Sequence, residues 1–384
     1  MKLVCDKDKS EYTNKIRIAH ITKVFTANGI TSVVLNYTSH LDKEKFVSTI
    51  ISGSPITSKL KEKSIENGVE FIEVPSKIKS SRGYYLGIWN ALKNGKYDIV
   101  HVHGNSATMT IELLMAFVLG IRVRVVHCHN SKCEYLKAHK VLLPLFMRLY
   151  TRGYACSRLA GNWLFGSHPF EVLVNGFETK KYLFNENKRV ELREKLGLSD
   201  KFVIGNVAGF TNQKNHEFLL DVFESVADKD KKAVLFLVGD GPLLDTVLER
   251  IENSAFRERI VYYGVSNNVE DLYNVMDLFV LPSKFEGLGL VFLEAQINGL
   301  KCIASDQVPV EVNLNNQTKF LSLVDPLENW AKEILSISVY DREKMSGDSY
   351  NKSAEYDIDK CVKKLEKDYL SLINKSKIFR LGFI

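Results

Sequence analysis

Leu278-Phe279-Val280-Leu281-Pro282-Ser283-Lys284-Phe285-Glu286-Gly287-Leu288-Gly289-Leu290-Val291-Phe292-Leu293-Glu294-Ala295-Gln296-Ile297-Asn298-Gly299 is the stretch on which the fold turns. The uncharged apolar run that ends at Leu281 has the composition of a parallel strand buried on both faces. A loop bearing Gly287 and Gly289 follows, and a helix is expected from about Leu290. Glycines at those positions let backbone approach a ligand closely. The unpaired N–H groups at the helix start form an anion site, reinforced by the helix dipole.

The same unit recurs on either side. Phe202–Val207, Ala233–Val238, Ile260–Tyr263 and Cys302–Ala304 read as strands, and His216–Val226 as a helix with Leu219, Val222 and Phe223 on one face. In the first half, strands read at Ile16–Ile21, Val47–Ile51, Val69–Val74, Asp98–His103 and Arg122–His127. Helices are expected at Thr31–Leu41, Leu86–Lys93 and Ala107–Leu119. This alternation predicts an α/β protein with two parallel sheets, each covered on both faces. The joint is placed at Val172–Phe177, where an apolar strand runs into an Asn-Gly turn. Tyr356–Ile373 reads as an amphipathic helix with Val362, Leu365, Tyr369 and Leu370 on one side. Two similar α/β units are expected to place a ligand beyond the carboxyl ends of their strands, in the cleft between them.

Composition narrows the class. The chain has 384 residues, 45% hydrophobic and 26% charged, which excludes a disordered or collagen-like polymer. The longest uncharged apolar run, Leu113–Ile121, is less than half of the roughly twenty residues a membrane helix needs, and Met1–Lys15 has no signal-like apolar core. The 6 cysteines form no CxxC pair and read as reduced, which points to the cytoplasm. Residues 1–181 hold 26 Lys+Arg against 14 Asp+Glu, whereas residues 182–384 hold 26 against 32. The basic half points to an anionic partner: nucleic acid, or a membrane leaflet met by Lys59, Lys61, Lys63, Lys77, Lys79 and Arg82.

Glu286 and Glu294 stand eight residues apart. Glu286, in the loop, suits sugar hydroxyls, and Glu294, more than one turn into the helix, suits a ribose. Two carboxylates beside a phosphate pocket match a nucleotide sugar. The plain alternative is a strand–loop–helix with solvent-facing glutamates. Lys214, just before the first helix of the second half, is placed to neutralise a diphosphate. His101 with His103, and His127 with His129, each share one strand face. They are candidates for a metal, for substrate contact at His129, or for core packing at His101 and His127. Gly29, after Thr26-Ala27-Asn28, allows a turn whose N–H groups face a ligand. There is no third glycine for a dinucleotide fingerprint after Gly239-Asp240-Gly241, no phosphate-binding GxxxxGK[ST] and no GxSxG. The D-x-D spacings at Asp6/Asp8, Asp228/Asp230 and Asp357/Asp359 fall in charged stretches and predict no metal clamp.

Taken in order, NGITSVVLNY (28–37), DIVHVHG (98–104), VVHCHNS (125–131), VLVNGFE (172–178), QKNHEFLLDVF (213–223), VGDGPL (238–243), the run 262–300 and CIASDQVPVEV (302–312) resemble the GT-B-fold retaining glycosyltransferases of family 4, especially their bacterial exopolysaccharide and capsule branch. The resemblance implies two Rossmann-like, doubly wound domains facing across a cleft. These would be an acceptor-side domain at 1–178, rejoined by a crossover helix at 355–384, and a donor domain at 179–354. It implies a nucleotide-sugar donor, usually UDP-linked, and transfer with retention to a glycan or lipid-linked glycan hydroxyl. No metal or other cofactor and no nucleic-acid partner is implied. The place of action would be cytoplasmic, with peripheral contact at an anionic membrane. By position, Gly264 and Val265 match the segment that meets the base, and Glu294 matches the ribose ligand. Lys214 and the amides of Leu288, Gly289 and Leu290 match the diphosphate cradle. Glu286 and His129 match groups beside the reacting sugar, and Gly29 a loop that meets the diphosphate. Similar sequences often carry arginine where this chain has Gly209. That departure leaves a second reading open, a catalytically weak or scaffolding partner subunit. A histidine-metal hydrolase is a third.

Overall fold

The computed structural model describes residues 15–26, 29–266, 268–314 and 318–381. Cys5, Asp6, Asp8, Ala27 and Asn28 lie outside them. The chain divides into two compact units: Met1–Phe177 with Tyr356–Ile384, and Glu178–Glu355.

The first unit is built on seven parallel strands: β1 (Ile16–Thr22), β2 (Phe46–Gly53), β3 (Glu70–Val74), β4 (Ile99–Gly104), β5 (Val123–Cys128), β6 (Arg152–Ala155) and β7 (Glu171–Val172). Their order is β3-β2-β1-β4-β5-β6-β7. β2 is buried at every residue, as a strand covered on both faces must be. Three elements escape the sequence pattern for physical reasons. Helix Ser58–Glu66 is too polar to show a clear apolar stripe. Helix Leu136–Leu149 contains Pro144, which reads as a break. β6 carries Arg152 and Gly153, and its pairing with β5 rather than its propensity makes it a strand.

At the joint, Gly176 does not form a left-handed turn. A Cβ there would come within 2.9 Å of the Cβ of Cys361, so its missing side chain lets the last helix, Ile358–Leu381, pack closely. That helix buries Val362, Leu365 and Tyr369 but leaves Leu370 exposed. Its Asp368 pairs with Arg152 at 2.7 Å.

The second unit holds β8 (Phe202–Val207), β9 (Ala233–Val238), β10 (Ile260–Gly264), β11 (Leu278–Leu281), β12 (Lys301–Ser305) and β13 (Thr318–Leu321), ordered β10-β9-β8-β11-β12-β13 and parallel. Leu219, Phe223, Leu235, Leu237 and Trp330 centre its core, and the Trp330 indole donates to the Ser322 carbonyl at 3.0 Å. β13 carries an outward lysine, in keeping with a sheet edge. No helix among the described residues is long and apolar enough to cross a membrane.

Each sheet has one place where the strand order reverses: between β1 and β4, and between β8 and β11. At such a point the connections leave in opposite directions and open a crevice at the strands' carboxyl ends.

The glycines of VGDGPL serve packing. A Cβ on Gly239, held at φ +139°, would meet the Ala208 carbonyl oxygen at 2.0 Å, and one on Gly241 would meet the Phe210 carbonyl oxygen at 2.5 Å. The loop after β9 therefore lies directly against the end of β8. Gly239→Ala and Gly241→Ala are expected to destabilise the protein by about 2–4 kcal/mol in urea unfolding. Gly347→Ala, inside helix Arg342–Lys352 with nothing within 4 Å, is expected to stabilise it by about 0.5–1 kcal/mol.

Candidate active site

In the second unit, the loops leaving β8 and β11 are tied together residue by residue. The Lys284 amide donates to the Gln213 carbonyl at 2.8 Å, and the Lys284 ammonium to Asn212 Oδ1 at 2.7 Å. Asn215 begins helix His216–Ala227 in the left-handed conformation, φ 59°, and its Nδ2 donates to the Pro282 carbonyl at 3.2 Å. Asparagine tolerates that conformation better than most residues. Gln213 Nε2 donates to the Phe285 carbonyl at 3.0 Å and to Glu286 Oε2 at 3.2 Å. The Lys214 ammonium lies 2.6 Å from Glu286 Oε1.

Glu286 is therefore not a solvent-facing glutamate. It is buried, with one oxygen on Lys214 and the other on Gln213. Gln213 has no signal in the sequence beyond its place next to Lys214.

The helix after the second loop runs Leu290–Ile297 and is capped by Gly289 at φ 83°, with no side-chain cap and no acidic residue in its first turn. Only glycine adopts that φ without strain. The Leu290 and Val291 amides have no intrahelical acceptor, whereas the Phe292 amide donates to the Gly289 carbonyl at 2.9 Å. The helix start lies close to Glu286, whose Cγ would be 3.9 Å from a Cβ on Gly289. Leu288 is buried.

One turn on, Glu294 is buried and accepts the Tyr273 hydroxyl at 2.6 Å, and the Tyr182 hydroxyl also faces it. Burial pushes its pKa up to about 7; the two phenols and Lys214 pull the other way. Neither tyrosine was revealed by spacing alone.

At the end of β10, Gly264 takes φ 86° with open space around it, and Val265 is 64% exposed. Gly209 has nothing nearer than the Asp240 carbonyl oxygen, 3.7 Å from where a Cβ would stand, so a Cβ is accommodated there. His216 stacks on Phe210 at 4.0 Å, and burial lowers its pKa to about 4.

The first unit places its histidines in one buried cluster. His20 Nδ1 lies 3.2 Å from His103 Nε2, and His103 Nδ1 lies 3.0 Å from His129 Nε2. His101 Nδ1 lies 2.5 Å from the Tyr369 hydroxyl, and His127 Nε2 lies 3.3 Å from the Leu173 carbonyl oxygen. Burial holds all five below the usual imidazole range, and His20, His103 and His129 form a hydrogen-bonded chain. His129 is 8% exposed and is the outermost of the five. His20 joins them through the pairing of β1 with β4, which no single segment displays. Close triads, His20-His101-His103 and His103-His127-His129, have the donor type a metal takes, but two of the short N···N separations already read as ring-to-ring hydrogen bonds. Gly29 opens helix Gly29–His40 and adopts no left-handed turn.

Ionising Glu294 opposes folding. Its folded pKa of about 7 lies above the ordinary carboxyl value of 4.5, so the folded state binds an extra proton between those limits, and the associated stability is lost as pH rises through about 7. Glu294→Gln removes this dependence. Its melting temperature relative to the parent is expected to climb from pH 5 to pH 8, and a flat difference would contradict the assignment. For the other carboxylate, a double-mutant cycle of Lys214→Met with Glu286→Gln is expected to give a coupling of about 1–3 kcal/mol in urea unfolding.

Two family models match the chain: "Glycosyltransferase Family 4" over residues 27–170 and "Glycosyl transferases group 1" over residues 188–346. The "Putative glycosyltransferase EpsF" of Bacillus subtilis (strain 168) is 30% identical over 344 residues, covering 85% of this chain and 89% of that protein. An Escherichia coli protein named UDP-Gal:alpha-D-GlcNAc-diphosphoundecaprenol alpha-1,3-galactosyltransferase is 28% identical over 79% of this chain and 81% of its own length. The crystal structure of Anabaena Alr3699/HepE with UDP and glucose superposes with a TM-score of 0.77 at 16% identity, over 93% of this chain and 100% of that one. With two parallel-sheet, Rossmann-like units and a full-length relative at this identity, the chain belongs to the GT-B glycosyltransferases of the group 1, family 4 type.

Proposed function

We propose that this glycosyltransferase moves a sugar from a UDP-sugar to a hydroxyl of a glycan or lipid-linked glycan, with retention at the anomeric carbon and without a metal, in exopolysaccharide or capsule synthesis. The observation that carries the reading is the 2.6 Å Lys214–Glu286 pair at the β8/β11 reversal, next to a helix start with no side-chain cap. The E. coli relative's name supports the UDP-linked donor and the lipid-linked acceptor.

The difficult step is departure of the nucleoside diphosphate. Charge grows on the phosphate oxygens while the sugar becomes oxocarbenium-like. Lys214 has donors beyond the one Glu286 accepts, and the amides at Leu290 and Val291 add fixed dipoles. Both are in place before reaction, so little reorganisation accompanies charge transfer. Glu286, held by Gln213 and Lys214, orients the donor sugar. Glu294 accepts ribose hydroxyls from a site already shaped by two phenols. Gly264 and Val265 meet the base. Metal independence is supported by the engagement of both site carboxylates with protein donors.

Among the basic residues of the first half, Lys77 and Lys61 are paired with Glu112 and Glu73. Peripheral contact with an anionic leaflet is proposed through the exposed Lys63, Lys79 and Arg82.

The missing arginine at Gly209 favours the second reading, a weak partner subunit. The two are separated by assay. UDP is expected to raise the melting temperature more than GDP does. Labelled sugar is expected to pass from a UDP-sugar to acceptor extract, and Lys214→Ala to cut turnover about 100-fold or more. Gly209→Arg is expected to speed transfer about tenfold. UDP binding with no turnover in either form would favour the partner-subunit reading.

A further inference from the structure

The second unit's site makes no use of the five buried histidines in the first, whose ring nitrogens converge. Two groups of three, His20-His101-His103 and His103-His127-His129, each bring one nitrogen per ring within 4.8 Å of the others. The second group is the better placed for an ion. His103 lies near the end of β4, His127 stands opposite it on β5, and His129 follows just beyond that strand. His129, the outermost of the five, gives this group a route from solvent, whereas His20 and His101 are 1% exposed.

Counting protons shows which nitrogens are bare. The Leu173 carbonyl has no hydrogen to give, so its 3.3 Å contact puts the His127 proton on Nε2 and leaves a lone pair on Nδ1. His103, as an uncharged ring, has one proton for two ring contacts: Nε2 with His20 at 3.2 Å and Nδ1 with His129 at 3.0 Å. With that proton on Nε2, directed at His20, the Nδ1 of His103 is bare as well. Metal-ligating histidines are held by such contacts on the far nitrogen, which fix the tautomer and aim the ring. The spacing also suits an ion. Two nitrogens about 2.0–2.1 Å from a tetrahedral zinc stand about 3.3 Å apart, and His103 Nδ1 and His129 Nε2 are 3.0 Å apart. The ring-to-ring contact therefore occupies nearly the geometry that two ligands of one ion would take. Burial, which keeps the three rings below the usual imidazole range, favours the uncharged form that coordinates.

We propose that His103, His127 and His129 form a binding site for one zinc-class divalent ion, held by three imidazole nitrogens and tying together the ends of β4 and β5. Imidazole donors suit zinc, cobalt and nickel, whereas magnesium and calcium take oxygen. No carboxylate or thiolate belongs to the group among the described residues, so the fourth tetrahedral position falls to a water or another small ligand. The site belongs to the first unit alone, adds no step to sugar transfer and does not depend on the transferase reading.

The test uses the full chain without an affinity tag, stripped with EDTA and dialysed. Zn²⁺ is titrated against a chromophoric chelator, and Co²⁺ is added in parallel for its visible absorption. About one Zn²⁺ per chain is expected, with a Kd below about 1 μM. Co²⁺ is expected to show the strong absorption of a four-coordinate ion, and Zn²⁺ but not Mg²⁺ to raise the melting temperature. His127→Gln is expected to weaken Zn²⁺ binding about tenfold or more and to remove the thermal shift. Should that variant fold poorly by circular dichroism, His129→Gln, at the outer edge, is expected to do the same. His168→Gln, at an exposed histidine outside the cluster, is expected to leave binding unchanged. No saturable Zn²⁺ binding, a six-coordinate cobalt spectrum, unchanged affinity in the folded cluster variants, or an equal loss in His168→Gln would overturn the proposal.

Discussion

An ammonium and a carboxylate withdrawn from water, 2.6 Å apart, organise the second unit's site. Neither Lys214 nor Glu286 could be buried alone at acceptable free energy. Together they bind the loop after β8 to the loop after β11, and Gln213 and Asn215 complete the junction. The junction fixes where the helix beginning at Leu290 starts, and hence where its first amides point. Phosphate recognition in this account is therefore a consequence of sheet topology: two parallel strands whose connections diverge leave their ends close together and their loops free to meet.

The two units use that topology differently. At the β8/β11 reversal the local groups are a cation, a glycine-capped helix start and carboxylates already engaged by protein donors. At the β1/β4 reversal a cavity is lined by the Lys77–Glu112 pair, Thr22 and His103. The histidine chain runs beside the second of these, with His103 lining the cavity and reaching His129 through a single hydrogen bond. Burial holds its members below the usual imidazole range.

Much of this was legible in the residues. Continuous apolar runs such as Ala233–Val238 and Leu278–Leu281 name parallel strands, and the glycines at 287 and 289 followed by Leu290 name a glycine-capped helix start. Lys214 and Glu286 were each identifiable from type and loop position. Their contact was not, because they are 72 residues apart in the chain and meet only once β8 pairs with β11. Glu294 was visible while Tyr182 and Tyr273 were not, since no local period links them. The VGDGPL glycines looked like an incomplete dinucleotide signal because sequence cannot show that the Ala208–Phe210 backbone lies against them.

A crystal structure of the UDP complex tests the central claim most directly. The account predicts β-phosphate oxygens within about 3 Å of the Lys214 ammonium and of the amides at Leu290 and Val291, with ribose hydroxyls on Glu294. A diphosphate bound away from that helix start, with Lys214 still paired only to Glu286, would contradict it.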